Sequence, residues 1–561
     1  MEETEIRSTP KTNQYWHDLW RIGFVLLITL TTRLWVVEHT EVLSRDSIVF
    51  IRYALQLEQP PHDPLNPNRI YTRGDVLREG AHPPGYPAAI LLVSLPVRSI
   101  MGKTDCESMV ASAQITSLLA SLLLTIPLYF LGKLLFDRQT AFIATMLYQV
   151  LPVCTLIASD GLSDNLFLLF AALGVWFSAI ALTRNGLVWF LISGLCIGAS
   201  YLVRPEGLIV GIALALVILT IKYRGIWSWQ PFVLRSGMVG VGLALVMVPY
   251  IITIGHLTNK PTGTDLIHSF EGQEIKPSWQ NQQSLAPEQN AYPPLAEWYN
   301  GDRTHSRILW GVKALGKELL KSFFYLPPFL ALFGIYISRR KVAQNNALLF
   351  VLLVALCHML LLWEVARGAG YVAERHTLLI VLCGSYFVAT GLLALGARCA
   401  SWPRLSHLGG ATTWSAIMAF VMIAACIPAG MKSLHVNRAG HHAAGLWLAH
   451  ERHQDDVVLD PFSWAEFYAG FIRYPEFHRR ECHYIYAVVE SIDNSPHPRL
   501  HLMPDALRAA RQGELVYHWP ENLPESKAKV RIFRCEGKGF WQAKDLSFQE
   551  RDASLAARFE N

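Results

Sequence analysis

The chain has 561 residues, of which 52% are hydrophobic and only 17% charged, well below the roughly 25% charge of soluble proteins. Apolar runs recur to about residue 430 and then cease, which excludes a wholly soluble enzyme and points to a polytopic membrane protein with a polar C-terminal tail. The net charge of +5 is small, and the basic residues stand in short clusters between apolar runs. That pattern argues against a nucleic-acid partner and for charges placed by membrane topology.

Residues 1–18 are polar, and the apolar run that follows is long enough to span and lacks a small-residue cleavage site. It reads as a retained first helix rather than a cleaved signal peptide. Further spans are expected at 115–131, 141–157, 162–182, 187–202, 208–221, 238–254, 322–337, 347–363, 377–395 and 412–429. With 19–37 that makes about eleven, at roughly 20 residues per crossing. The fold class is mainly α, a polytopic helical bundle. Segment 86–100 is apolar but holds Pro87 and Pro96, and reads as an interfacial helix of the first loop.

Basic residues follow every second span: Lys133 and Arg138, Arg184, Lys222 and Arg224, Arg339 to Lys341, Arg398 and Arg404. By the positive-inside rule those loops are cytoplasmic. The first loop (39–114), the long loop 256–321, the turns at 203–206 and 367–375, and the tail (431–561) are then extracytoplasmic. The tail alternates strand-like segments at 456–459, 483–489 and 530–535 with helical ones at 443–451 and 503–512, as a small α/β domain would. It holds no Gly-rich nucleotide loop. The nine cysteines show no metal spacing. A disulfide between Cys482 and Cys535 is left open for a tail outside the cytoplasm.

The outer loops carry the residues fit for chemistry. Asp46, in Ser44-Arg45-Asp46-Ser47, precedes an amphipathic stretch; it serves as a helix cap, a base, or both. The run Glu79-Gly80-Ala81-His82-Pro83-Pro84-Gly85-Tyr86-Pro87 is stiffened by proline, with Gly85 allowing close approach. His82 there is a phosphate donor or an incidental turn residue. Asp160 and Asp164 flank the start of a span, and the second is costly in an apolar run unless paired. Arg204 and Glu206 share a tight turn and are expected to pair with each other. Arg375, beside Tyr371, lies at a helix N-terminus, where the dipole disfavours a cation and an anionic ligand would explain one. Acids and cations on one outer face suit a lipid-linked sugar phosphate, with cations for the leaving group and a carboxylate for the incoming hydroxyl.

In the residues Arg45-Asp46, His82 to Pro87, 159–167, Gly198 to Gly207 and 371–379, the chain resembles the GT-C glycosyltransferases. The nearest branch holds the protein O-mannosyltransferases, the aminoarabinose transferases and the rhizobial-type lipopolysaccharide-core transferases. The resemblance covers about the first 390 residues. It implies inverting transfer from a polyprenyl-phosphate sugar to a glycolipid, polysaccharide or protein acceptor at the inner membrane. It puts Asp46 at the catalytic centre and His82 at the phosphate. Glu79, Tyr86, Asp160, Asp164, Arg204, Tyr371 and Arg375 are the expected substrate contacts. Position 81 is Ala where some relatives carry an acid, with Glu79 the nearest substitute, so a divalent metal is left open and no other cofactor is implied. The competing reading is a transporter or lipid flippase, or a non-catalytic lipid-binding relative. The absence of a visible repeat and the outer placement of the ionisable groups favour the enzyme.

Overall fold

The computed structural model describes residues 11–542 except 64–65, 261–306, 370, 454, 474–481, 493–494, 498 and 501–502. Most of the long outer loop expected at 256–321 therefore lies outside the described residues.

The helices of the apolar part are α1 (Lys11–Glu38), α2 (Arg45–Glu58), α3 (Arg73–Glu79), α4 (Gly85–Met101), α5 (Cys106–Leu135), α6 (Arg138–Val150), α7 (Pro152–Ser159), α8 (Asp164–Arg184), α9 (Leu187–Val203), α10 (Leu208–Tyr223), α11 (Trp229–Ile254), α12 (Arg307–Ser322), α13 (Pro327–Gln344), α14 (Asn346–Ala369), α15 (Leu378–Ser401) and α16 (Ala411–Gly430). Among the described residues eight helices are long and apolar enough to cross a membrane, or ten if each bent pair counts as one span. Two shorter apolar helices, α4 and α9, stand beside these, and about eleven crossings fit the set. Helix α9 packs closely on α11 because Gly194 and Gly242 face each other's helix: a Cβ on either would strike the opposite backbone, the small-residue contact that draws membrane helices together.

Two expected spans are not single straight helices. The segment 141–157 is broken by 57° between α6 and α7, where Pro152 has no N–H to continue the ladder. The second bend, 96°, separates α12 from α13 at Pro327 and Pro328. The segment 86–100 is helical as expected, as α4.

After α16, helices α17 (Ala439–Glu451), α18 (Trp464–Tyr468) and α19 (Pro504–Gln512) surround a sheet of β1 (Val457–Leu459), β2 (Tyr484–Ile492), β3 (Ser495–Pro496), β4 (Glu514–Trp519) and β5 (Val530–Glu536). The main path runs β1-β2-β5-β4, with β3 paired to β2. β1 is parallel to β2 and the rest of the path antiparallel. Alternation along β2 decides the packing. Ile485, Ala487 and Val489 face α19, while Tyr486 and Val488 face α17 and α18. Cys482 and Cys535 are buried in the α19-side core.

This sheet region is fastened to α2. The Arg52 guanidinium meets the Glu466 carboxylate at 3.1 Å, the two side chains 4% and 7% exposed, and donates to the Phe471 carbonyl. Arg473 donates to the Leu55 and Gln59 carbonyls at the far end of the helix. A buried pair that loses one partner strands a charge. Glu466→Ala is therefore expected to destabilise the protein by about 3–5 kcal/mol, and Arg52→Met with Glu466→Leu to recover most of that loss, as read from thermal melting in detergent.

Candidate active site

The N-terminus of α2 is capped by Ser44, whose hydroxyl accepts the Ser47 N–H at 3.3 Å. Asp46 lies in the first turn and is not the cap. Its carboxylate instead meets the Arg375 guanidinium at 2.6 Å. The Asp46 side chain keeps 48% of its surface although protein crowds it, so a ligand can reach it. Burial pushes this carboxyl up, but Arg375, helped by Arg45, outweighs that and holds it well below the ordinary carboxylate range. Asp46 is a carboxylate at any physiological pH.

Arg375 belongs to a short 3-10 turn, Glu374–Thr377, ahead of α15. The turn is pinned from three sides. Ser322 donates to the Glu374 carbonyl at 3.0 Å. The His358 Nε2 lies 2.9 Å from the His376 carbonyl. The Ala373 N–H donates to His376 Nδ1, and the Tyr371 ring stands edge-on to His376. A cation at a helix entry, unfavourable in isolation, is thus fixed by tertiary contacts and aimed at a carboxylate from a segment 329 residues away.

The proline-rich turn lies along the same face of α2. The His82 ring stands 5.0 Å from Phe50, and Phe50 in turn packs edge-on against Tyr86. Gly85 abuts the Leu202 carbonyl, where a Cβ would collide, and so brings the turn against the end of α9 and Arg204. Burial, then Lys260, lower the His82 pKa to about 4. His82 is consequently a neutral donor or acceptor, not a cation. Tyr86 is fully buried and its hydroxyl donates to the Ala113 carbonyl, so it packs and has no surface for a ligand, contrary to its expected substrate contact. Glu79 ends α3, half-buried.

A second group of charges adjoins the first. Arg204 forms a very short ion pair with Asp164, and its distance to Glu206 is a looser 3.8 Å. The expected Arg204–Glu206 pairing is therefore secondary: Glu206 is taken by Lys260 at 2.7 Å. This also resolves how Asp164 is tolerated at the start of an apolar helix. Lys260 carries no sequence signal. It is placed by Asn259, whose amide donates to the Leu77, Arg78 and Gly80 carbonyls at 2.8–3.1 Å. Asp160 is buried, its carboxylate 3.0 Å from His435 Nε2. Burial pushes its pKa up, and His435 offsets part of that. Among the described residues no three His, Cys, Asp or Glu side chains converge as a metal set.

Comparison with known proteins agrees with this architecture. The family model of the dolichyl-phosphate-mannose-protein mannosyltransferases matches residues 82–252. No curated protein matches the chain. The aminoarabinose transferase ArnT of Cupriavidus metallidurans, solved bound to undecaprenyl phosphate, superposes with a TM-score of 0.55 at 11% identity, over 92% of this chain and 97% of that one. The Archaeoglobus fulgidus oligosaccharyltransferase AglB, solved with an inhibitory peptide and a dolichol-phosphate, superposes with a TM-score of 0.58 at 13% identity, over 97% of this chain and 77% of that one. The chain is a multi-pass membrane protein with the GT-C glycosyltransferase fold, as its motifs imply.

A pH dependence follows from His82. In the unfolded chain it takes a proton near 6.5, in the folded one only near 4. Folding thus loses stability as pH falls from about 6.5 to 4, because only the unfolded state is protonated there. His82→Gln is expected to flatten that part of the melting-temperature profile, measured from pH 7.5 to 4.

Proposed function

We propose that this protein transfers a sugar from a polyprenyl-phosphate donor to an acceptor hydroxyl at the extracytoplasmic face of the inner membrane, with inversion at the anomeric carbon. The observation that carries the reading is an accessible carboxylate, Asp46, beside Arg375, with Arg204 and Lys260 in the adjoining network. The acceptor oxygen attacks the anomeric carbon as its proton passes to Asp46. The carbon–oxygen bond to the phosphate breaks, and polyprenyl phosphate leaves with the electron pair. Arg375, with Arg204 and Lys260, offsets the charge growing on that oxygen, and His82 contributes a neutral hydrogen bond. The ArnT and AglB structures hold polyprenyl phosphates, the kind of carrier lipid that such a transfer releases, and AglB has also been solved tethered to an acceptor peptide. The acceptor here is a glycolipid, polysaccharide or protein. The reading divides the chain into a transferase domain over 1–430 and an extracytoplasmic domain over 431–561.

Asp46→Asn is the first test, with transfer of labelled sugar by purified protein as the readout. Turnover is expected to fall by roughly 10²–10⁴, the contribution of a positioned base, while the Ser44 cap keeps the helix intact. Normal transfer by the variant would remove Asp46 from the chemistry. The side of the membrane is tested by fusion: a reporter active only outside the cytoplasm should work after residue 440 and stay silent near Arg340.

Asp46 and the donor phosphate draw on one guanidinium. Asp46→Asn should therefore tighten binding of undecaprenyl phosphate even as turnover drops. In an Arg375→Ala background the tightening should vanish; if it persists, the effect is general charge repulsion and not competition for Arg375.

A further inference from the structure

The two residues that lead into α2 are held by side chains to an extent that capping does not require. The Leu43 N–H donates to the Tyr468 hydroxyl at 3.1 Å, and the Leu43 carbonyl accepts the Trp464 indole N–H at 2.7 Å. The Ser44 N–H donates to Asp160 Oδ1 at 2.8 Å, and the Ser47 hydroxyl donates to the Asp160 backbone carbonyl at 2.7 Å. Tyr468 and Trp464 come from the C-terminal sheet region. Asp160 comes from the bundle, but its carboxylate is braced from the C-terminal side: His435 Nε2 lies 3.1 and 3.0 Å from its two oxygens.

His435 is itself specially placed. Leu434 exchanges backbone hydrogen bonds with His39 and Glu41, zipping this segment onto the linker between α1 and α2. His435 then adopts φ +54°, a left-handed conformation that non-glycine residues seldom take and that persists where the surroundings enforce it. The side chain is 28% exposed while its partner carboxylate is 9% exposed. One imidazole thus closes a chain of contacts from the C-terminal segment through Asp160 to Ser44, two residues before Asp46.

We propose that His435 is a positioning residue for Asp46: through Asp160 it sets the first turn of α2, so that a residue beyond the last spanning helix controls the catalytic carboxylate without touching substrate. The inference rests on the reading of Asp46 as base. A displacement on the order of 1 Å at a reacting group lowers rates by as much as about 10²-fold, so a loss of this brace is read in turnover before it is read in binding.

The experiment compares wild type, His435→Ala and His435→Gln in the full-length protein. Glutamine keeps an N–H near the Nε2 position, and both substitutions meet the same backbone strain. His435→Ala is expected to lower kcat by roughly 10- to 100-fold with the donor KM within about twofold, and His435→Gln to recover most of the loss. Hydrogen exchange supplies a readout independent of turnover: amides of residues 42–47 should exchange faster in His435→Ala, while those of 52–58, held by Arg52 and Arg473, should not. Unchanged kcat, an equal loss in both variants, or unchanged exchange at 42–47 would overturn the proposal. A wild type that transfers no sugar would overturn the reading of the active site, and this inference with it.

Discussion

Everything at this end of the bundle turns on the ion pair between Asp46 and Arg375. The cation is the member that needs its partner. Asp46 follows a cap that is already complete, and Arg375 opposes the dipole of the helix it precedes. The carboxylate makes the cation's position tolerable, and together they tie the first loop to the entry of α15. The neighbouring pairs extend the principle: Arg204 with Asp164, and Lys260 with Glu206. Charges at the edge of an apolar bundle are costly unless partnered. The partners here hold the guanidinium and ammonium groups of Arg375, Arg204 and Lys260 in fixed positions.

Rigidity is supplied from behind. The turn carrying Arg375 is pinned by Ser322 and His358. Asn259 bonds the segment bearing Lys260 to the end of α3. Glycine at 85 lets the proline-rich turn approach α9 closely enough to share a boundary with Arg204. The helix with Asp46 is gripped at both ends by the C-terminal region, through Trp464 and Tyr468 at its start and Arg473 at its finish. A carboxylate on a short amphipathic helix at a membrane surface would otherwise wander with the loop. Here it is tied to a folded sheet.

The membrane character, the succession of apolar helices and the alternation of basic loops were legible in the sequence because hydropathy and charge act locally and one-dimensionally. The strands of the tail were legible for a like reason, since the continuous apolar run 484–489 marks a strand buried on both faces. Asp46, His82, Arg204 and Arg375 could be singled out because each breaks a local rule. Tyr86 could not be judged, because whether a phenol faces a ligand or a buried carbonyl depends on a helix elsewhere in the chain.

Pairing was decided only by the tertiary structure. Arg204 lies two residues from Glu206, yet bonds more closely to Asp164, 40 residues back. Lys260 and His435 have no motif at all and acquire roles from Asn259 and Asp160. The protonation state of His82 likewise depends on burial that no spacing reveals. Sequence determined which charges the membrane would push to its outer edge, since that cost is paid residue by residue. Which of them meet is set by helix packing, because electrostatic partners are chosen by distance in space and not by distance along the chain.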